Sequence, residues 1–347
     1  MSYPIPNYDF KKALSYPCHY HAPELLSDFQ KLALDPDSPL FRDAPWSEDF
    51  QDIEGENKAK PRFRTRFKAV WTTTGIYFLA LLEGEEVWAY VETHDGVIFQ
   101  DNDFEIFIDP DDDSCAYIEF EINAKNVVWD LLLTRPYRNR GLALNSFEIK
   151  GLQTRTQVFY REDGRARDWR CLVYIPFRSI EEVCQGRFKL PNSSQRFRIN
   201  FSRVHWNTEI KDGHYQKLRA SDGKILPEEN WVWSPQGLIN MHYPEMWGCF
   251  IFYDQEGNPI GDPLFPNQSD LERFLLRQIW YEAQKIYASE GQFRLSLEDL
   301  QGKDWILPLD PAAVELHADG EHLLIALKGQ SSTWLEIDRE GEIRHRA

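Results

Sequence analysis

Acidic side chains recur at alternate positions in the stretch from Phe99 to Asp109. Phe104, Ile106 and Ile108 fall on one side of an extended chain. The acids Asp103, Glu105 and Asp109 fall on the other side, with Phe107 between them. A period of two predicts a β-strand with one face towards the core. A row of carboxylates can hold a cation, pair with an arginine or accept hydrogen bonds from a ligand rich in hydroxyl groups. The same pattern also fits a solvated acidic face.

A second alternating run, Tyr117 to Asn123, follows a turn at 110–114 and predicts a hairpin. Its polar members, which should point away from the core, are Glu119, Glu121 and Asn123. If the turn places Asp109 opposite Cys115, Glu105 lies opposite Glu119, and Asp103 opposite Glu121. Like charges that face each other across a ladder destabilise it by roughly 0.2–1 kcal/mol per pair. The repulsion on the acidic face therefore favours a bound cation, an arginine or a ligand rich in hydroxyl groups beside it.

The turn itself is acidic and offers a candidate calcium site at Asp109, Asp111 and Asp113. Carboxylate oxygens are the hard ligands that Ca²⁺ prefers, although the spacing is not that of an EF-hand loop. A solvated turn is the alternative. His19 and His21 could touch one metal ion, but the sequence offers no third ligand beside them.

Composition excludes several classes of function. The 347-residue chain has a formal net charge of −17, which argues against nucleic acid and anionic membrane surfaces as partners. Its five scattered cysteines predict no disulfide framework, and no signal segment is visible, so a cytoplasmic location is expected, with an exported form left open. No hydrolase triad, zinc-protease motif or phosphate-binding glycine loop occurs.

Short strands dominate the pattern, at 62–71, 76–83, 99–109, 117–123, 126–133, 151–160, 169–175, 195–206, 230–235 and 247–252. They predict a β-sandwich over residues 45–254, with an N-terminal extension at 1–44 that packs on it and carries a short helix at 22–34. Residues 267–347 show a helical period from Leu271 to Ile286 and then three short strands. The prediction is a mainly β protein with a small C-terminal α+β appendage.

Five blocks in residues 45–253 resemble the family 9 carbohydrate-binding modules, in their family 9-like branch. They are Val70–Trp71 with Ile76–Phe78, then Asp101–Asp109, Tyr174–Phe177, Arg198–Arg203, and Trp233–Pro235 with His242–Gly248. The resemblance implies a jelly-roll-like β-sandwich, often with structural calcium, that holds a sugar between two aromatic rings. Glu105 matches the motif glutamate, and Phe99, six residues earlier, takes one ring position. Trp233 or Trp206 would supply the second ring.

The sequence therefore predicts a non-catalytic protein that binds a mono- or oligosaccharide by aromatic stacking and by carboxylate and amide hydrogen bonds. The predicted ligand-binding residues are Phe99, Glu105, Glu119, Glu121, Asn123, Arg203 and Trp233. Two readings compete for particular residues: Trp233 as a core aromatic, and Arg203 as an internal partner of the acidic row. Two alternative functions stay open, a glycoside hydrolase that uses a pair of glutamates and a calcium-stabilised interaction module. The sequence does not indicate the oligomeric state.

Overall fold

A computed structural model describes residues 3–22, 28–85, 87–186, 189–194, 196–212 and 214–346 of the protein. Its strands, in chain order, are β1 Ser15–Tyr20, β2 Gln51–Asp52, β3 Thr65–Thr72, β4 Gly75–Glu83, β5 Asp103–Asp109, β6 Tyr117–Asn123, β7 Val128–Leu133, β8 Ala143–Leu144, β9 Gln153–Tyr160, β10 Ala166–Pro176, β11 Phe197–His205, β12 Thr208–Lys211, β13 His214–Lys217, β14 Glu229–Val232, β15 Gly248–Tyr253, β16 Val314–Asp319, β17 His322–Lys328, β18 Trp334–Asp338 and β19 Ile343–His345. The α-helices of the described residues are α1 Phe177–Val183 and α2 Gln268–Glu290.

One large sheet runs in the order β8-β7-β6-β5-β11-β15-β1-β3-β4-β10-β9, with β14 and β2 attached beside β11. The sheet curls into a sandwich, because the inward side chains of its two halves meet in one aromatic-rich core. Phe67 and Phe78 enter this core from one half, and Phe104, Phe120 and Phe201 from the other. The mainly β sandwich with a C-terminal α+β appendage, as the sequence predicts, is confirmed.

The central hairpin pairs in a register that differs from the expected one. Glu105 lies opposite Glu121, Phe107 opposite Glu119, and Asp103 opposite Asn123. The expectation that Glu105 faces Glu119 is wrong, because the connection extends over residues 110–116. Within it Asp112, Ser114 and Ala116 adopt positive φ angles of 57°, 68° and 46°, which lengthens the turn by two residues. The polar face of both strands is also buried, so its acids do not face bulk solvent.

The N-terminal extension contributes β1, which pairs in parallel with both β15 and β3 and so closes the sandwich. Of the helix predicted at 22–34, residues 23–27 lie outside the described residues. The remainder contains a 3₁₀ turn at Phe29–Lys31, begun by the side chain of Asp28. The ring of Phe29 joins a small cluster with Tyr77 and Tyr174 on the outside of the sheet.

Helix α2 and the four-stranded sheet β16-β17-β18-β19 form the C-terminal unit. A capping box between Asn267 and Asp270 begins the helix, and Gly291, with φ 76°, ends it. One face of the helix packs on the small sheet through side chains such as Ile279 and Trp280. Among the described residues, no helix has the length and apolar character needed to span a membrane.

Candidate functional site

A cavity of about 200 Å³ lies on the polar face of β5, β6 and β7. It is open to the surface on one side, and the segment that runs from β14 towards β15 covers another. Its lining combines acidic and aromatic side chains: Phe99, Glu105, Phe107, Glu119, Glu121, Trp129, Leu131, Tyr137, Val204, Glu228, Asn230, Met241 and His242. Four of the seven predicted ligand-binding residues, Phe99, Glu105, Glu119 and Glu121, therefore come together in one place.

The floor of the cavity is formed by Glu105, Glu119 and Glu121, which are 5%, 7% and 1% exposed. They share a face because strand residues two apart point the same way and because Glu105 pairs with Glu121. Carboxylate oxygens of Asp103, Glu105 and Glu121 lie within 4.8 Å of one another. The floor is thus a dense group of carboxyl groups at one end of an otherwise apolar sheet face.

Burial disfavours the charged form of these carboxyl groups, so it raises the pKa of Glu105 to about 7. Burial and the neighbouring negative charge of Glu105 raise the pKa values of Glu119 and Glu121 well above the usual range. At neutral pH the floor therefore retains protons, and it can both donate hydrogen bonds to a polar ligand and accept them.

The wall of the cavity is aromatic. The rings of Phe99 and Trp129 stack with centroids 6.2 Å apart and planes inclined by 27°. Tyr137 stands opposite on the rim, 48% exposed, and packs against the ring of His242. Burial and the charge of Arg138 together lower the pKa of His242 to about 3, so its ring is neutral at pH 7. Exposed aromatic faces above buried carboxyl groups give the cavity one apolar and one polar surface.

Other polar residues of the motif hold the frame of the cavity. Asp101 accepts hydrogen bonds from the backbone N–H groups of Tyr90 and Val91 and from the side chain of Asn123. Asn123 also donates to the carbonyl of Val91 and accepts from the backbone N–H of Val127. The amide of Asn123 is therefore engaged in fixing the loop that carries Phe99, and it does not line the cavity.

Arg203 and Trp233 do not reach the cavity. On β11 Ser202 pairs with Glu105, so the next residue, Arg203, points to the opposite, core face. There its guanidinium donates to the Thr65 hydroxyl at 3.0 Å and to the Glu83 carbonyl at 2.8 Å. Burial lowers the pKa of Arg203 to about 9.

Trp233 is fully buried in the sandwich core, and its indole N–H donates to Glu48 at 2.9 Å. Trp233 is therefore a core aromatic, which was the alternative to a role in ligand binding. The second tryptophan considered for the wall, Trp206, lies just outside the cavity. It donates from its indole N–H to the carbonyl of Phe99 at 2.8 Å and so fixes the backbone that carries the Phe99 ring.

Sequence reasoning missed Trp129 and Tyr137. Trp129 pairs with Glu121 across β6 and β7, so extending the alternation by one more strand would have placed it beside the acids. Tyr137 is an exposed aromatic in the basic loop 135–141, and no periodic pattern marks it. Exposure of such a ring depends on tertiary structure.

The predicted calcium ligands also come together, away from the cavity. Carboxylate oxygens of Asp109, Asp111 and Asp113 lie within 4.8 Å of one another at the hairpin turn. Asp109 is fully buried and accepts from the backbone N–H groups of Asp112 and Ser114 at 3.1 and 2.9 Å. Burial and the three neighbouring acids raise the pKa of Asp109. The donor set is of the hard-oxygen kind that suits Ca²⁺.

Comparison with solved structures finds several similar β-proteins. A family 9 carbohydrate-binding module from Caldicellulosiruptor kristjanssonii in complex with cellotriose is 13% identical, with 70% of this chain and 94% of that chain covered and a TM-score of 0.43. A family 9 module from the same organism in complex with glucose is 13% identical, with 73% of this chain and 100% of that chain covered and a TM-score of 0.43. A candidate carbohydrate-binding protein from Bacteroides uniformis ATCC 8492 is 16% identical, with 70% of this chain and 100% of that chain covered and a TM-score of 0.48. No curated protein matches the sequence.

A comparison with protein families matches residues 37–149 to the family described as carbohydrate family 9 binding domain-like. The match covers about one third of the chain. It includes Phe99, the acidic hairpin and Trp129, whereas the later blocks around Tyr174, Arg198 and Trp233 lie outside it. The segment 37–149, which contributes the floor of the cavity, thus matches the family that the sequence motifs indicate, the family 9 carbohydrate-binding domains.

Proposed function

We propose that the cavity binds carbohydrate and does not transform it. The observation that carries the proposal is the aromatic wall of Phe99, Trp129 and Tyr137 directly above the carboxyl floor, in the segment that matches the carbohydrate-binding family. A pyranose ring has apolar C–H faces, which stack on aromatic rings, and a rim of hydroxyl groups, which need polar partners. The aromatic wall can contact the apolar face of the sugar, and the carboxyl floor can form hydrogen bonds with its hydroxyl groups.

In this proposal each residue has a distinct role. Phe99 and Trp129 contact the face of the sugar ring, and Glu105 and Glu119 exchange hydrogen bonds with its hydroxyl groups. Glu121 accepts from the backbone N–H of Phe99 at 2.9 Å and so fixes the ring to the floor. The indole N–H of Trp129 has no hydrogen-bond partner among the described residues and is buried, so Trp129 offers the sugar its ring and not this nitrogen.

The size of the cavity limits the ligand. Pockets for drug-sized molecules have volumes of roughly 300–1,000 Å³, whereas this cavity measures about 200 Å³. One sugar ring is therefore the expected occupant, with any further rings outside the cavity, beyond the rim at Tyr137.

Isothermal titration against a panel of mono- and oligosaccharides tests the proposal. At pH 8, where Glu105 with its pKa of about 7 is mainly ionised, Glu105→Gln should weaken binding by roughly 10- to 100-fold, because a hydrogen bond to a charged group contributes about 1.5–3 kcal/mol. Glu162→Gln, a change at an exposed acid remote from the cavity, should bind as the wild type does. No heat with any sugar, or equal affinity of the wild type and Glu105→Gln, contradicts the proposal.

Glycoside hydrolysis is the second function for which the geometry offers an observation. Glu105 and Glu121 have carboxylate oxygens within 4.8 Å, which is too close for the inverting arrangement of roughly 6.5–9.5 Å and nearer to the retaining one of about 5–5.5 Å. Turnover of an aryl glycoside by the wild type, abolished in folded Glu105→Gln, would assign hydrolysis. Binding without turnover would support the non-catalytic function.

Calcium at the hairpin turn is a separate part of the proposal. Asp109, Asp111 and Asp113 would hold the ion, which would relieve the repulsion between their charges and stabilise the long turn. Removal of calcium by a chelator should lower the melting temperature of the wild type, and it should have no effect on Asp111→Asn/Asp113→Asn. An unchanged wild-type melting temperature contradicts a calcium site here.

A further inference from the structure

A second group of ligand-type side chains lies on the other face of β7 from the cavity. His94 and Asp95 belong to the loop before Phe99, Asp130 lies on β7, and Glu148 follows β8. His94, Asp130 and Glu148 line a shallow surface depression of about 530 Å³. Asp130 is separated from the sugar cavity by strand alternation, since its neighbour Trp129 is the residue that faces that cavity.

The orientation of the His94 ring is fixed. Nδ1 of His94 lies 2.9 Å from the carbonyl oxygen of Val128. A carbonyl can only accept, so Nδ1 carries a proton and donates, which in the neutral imidazole leaves the lone pair on Nε2. A backbone carbonyl that orients one ring nitrogen in this way is the usual outer-shell contact of a histidine that binds metal through the other.

Nε2 of His94 points at carboxylates. It lies 3.3 Å from both oxygens of Glu148 and 3.6 Å from Oδ1 of Asp95. An imidazolium–carboxylate hydrogen bond would be shorter, about 2.7–2.9 Å. For metal bonds of about 2.0–2.2 Å, the edges of a coordination tetrahedron measure about 3.3–3.6 Å. The separations of Nε2 from Glu148 and Asp95 fall in that range, and the ligand atoms that all lie within 4.8 Å of one another are those of His94, Asp95 and Asp130.

Asp130 supplies an independent observation. The residue is 1% exposed, and its Oδ1 has no hydrogen-bond partner among the described residues. Its Oδ2 accepts from the backbone N–H of Ile149 at 2.6 Å, which fixes the side chain. Ligand atoms of His94, Asp95 and Asp130 lie within 4.8 Å of one another. The group thus contains a buried carboxylate oxygen without a partner, and leaving it so is costly.

We propose that His94, Asp95 and Asp130 bind a divalent transition-metal ion, with Zn²⁺ as the best fit, and that Glu148, 3.3 Å from Nε2 of His94, closes onto the ion as the fourth ligand. One imidazole and three carboxylates form a mixed nitrogen and oxygen donor set, which suits Zn²⁺ and disfavours Ca²⁺ and Mg²⁺, since these prefer oxygen ligands alone. Four protein ligands leave no coordination position for a substrate, so the ion is structural. It joins the loop before Phe99, strand β7 and the segment before β9.

The test uses the full chain, freed of metal with a chelator and then titrated with Zn²⁺, Mn²⁺, Ca²⁺ or Mg²⁺. The wild type should bind one Zn²⁺ per chain, which raises its melting temperature, and Asp111→Asn/Asp113→Asn, which lacks the calcium site proposed at the hairpin turn, should bind Zn²⁺ in preference to Ca²⁺ and Mg²⁺. His94→Gln and Asp130→Asn should each weaken Zn²⁺ binding by at least tenfold and lose the rise. The matched control is His214→Gln, an exposed histidine on β13, which should behave as the wild type does.

Three results would overturn the proposal: no stoichiometric Zn²⁺ binding, Zn²⁺ binding that survives in His94→Gln, or, in Asp111→Asn/Asp113→Asn, which lacks the calcium site proposed at the hairpin turn, a preference for Ca²⁺ over Zn²⁺. His94 is half-exposed, with 52% of its side chain accessible, so His94→Gln decides the matter even if Asp130→Asn fails to fold. Because none of these variants touches the sugar cavity, the outcome does not depend on whether the cavity binds carbohydrate.

Discussion

Glu105, Glu119 and Glu121 lie together under the aromatic wall, and among the described residues no lysine or arginine forms an ion pair with them. Buried carboxylates without a cation are costly, and the cost is met here by retaining protons to higher pH. The protonation of the cavity floor therefore changes near neutral pH. Both protein stability and ligand binding should follow that change.

Glu105→Gln should remove part of the pH dependence of stability. The pKa of Glu105 is about 7 in the folded protein and near 4.5 when unfolded. Between these values the folded state binds more protons, so the stabilisation is complete below pH 4.5 and is lost as the pH rises through 7. The variant cannot ionise, so it should be more stable than the wild type by about 3 kcal/mol at pH 8 and nearly equal at pH 4.5.

Urea unfolding at the two pH values, in a chelator and without sugar, measures this difference. Glu162→Gln, at an exposed position, should match the wild type at both. A Glu105→Gln protein no more stable than the wild type at pH 8 would mean that the carboxylate at 105 is well solvated.

Phe99→Ala should weaken sugar binding by about 2- to 10-fold, since an aromatic contact contributes about 0.5–1.5 kcal/mol beyond its buried area. Phe99 is 38% exposed, so the fold should tolerate the change. Phe99→Trp, with a larger ring, should bind more tightly than the wild type. Titration calorimetry compares the affinities, with Tyr160→Ala on β9, 64% exposed, as the control that should change nothing.

At the scale of elements, alternation predicted both strands of the central hairpin because each has one face in the core, as Phe104 and Ile106 show on β5. Register was not predictable in the same way. The connection at 110–116 depends on residues such as Asp112 and Ala116 with positive φ, and a hydrophobic pattern carries no information on them.

The site was predictable to the extent that it lies on the hairpin. Phe99, Glu105, Glu119 and Glu121 follow from the motif and from period two. Arg203 and Trp233 follow from the family resemblance and from residue type, without regard to their strand faces, and both point into the core. Tyr137 comes from a loop, and only tertiary structure brings it to the rim.

Asn123 shows how one element positions the site without contacting ligand. Asn123→Ala should destabilise the protein by roughly 2–3 kcal/mol, because the N–H groups of Lys125 and Val127 and the carbonyl of Val91 lose their partner. Faster hydrogen exchange at Tyr90 and Val91 should accompany the loss. Asn192→Ala, in a surface turn, should have a much smaller effect, and an equal effect would show that the loop is not held by Asn123.

At the scale of the whole molecule, buried charges join the C-terminal unit to the sandwich. Glu245, just before β15, lies 2.6 Å from the guanidinium of Arg138 and accepts from the hydroxyl of Tyr281 on α2. Arg277 of α2 reaches the hairpin turn through Ser114 at 3.0 Å. The division at residues 45–254 and 267–347 stays a prediction, but the contacts show that helix α2 does not stand apart from the sandwich.

Glu245→Gln should therefore destabilise the protein by about 3–5 kcal/mol at pH 7, because it leaves Arg138 buried without its counter-charge. Burial alone would raise the pKa of Glu245, but the charges of Arg138 and Arg277 outweigh it and lower the pKa to about 2. A lowered pKa stabilises above pH 4.5, and the stabilisation is lost as the pH falls towards 2. The difference between variant and wild type should accordingly shrink in acid.

Urea unfolding at pH 7 and pH 3 tests this expectation, with Glu282→Gln as the matched control. Glu282 lies on α2 and pairs with Lys285 and Lys303 at the surface, where an ion pair contributes about 0–1 kcal/mol. A Glu245→Gln protein that loses no more stability than the control would show that apolar packing, rather than the buried charges, fixes α2 to the sandwich. A loss at pH 7 that is far larger than at pH 3 would place Glu245 at the electrostatic centre of the contact.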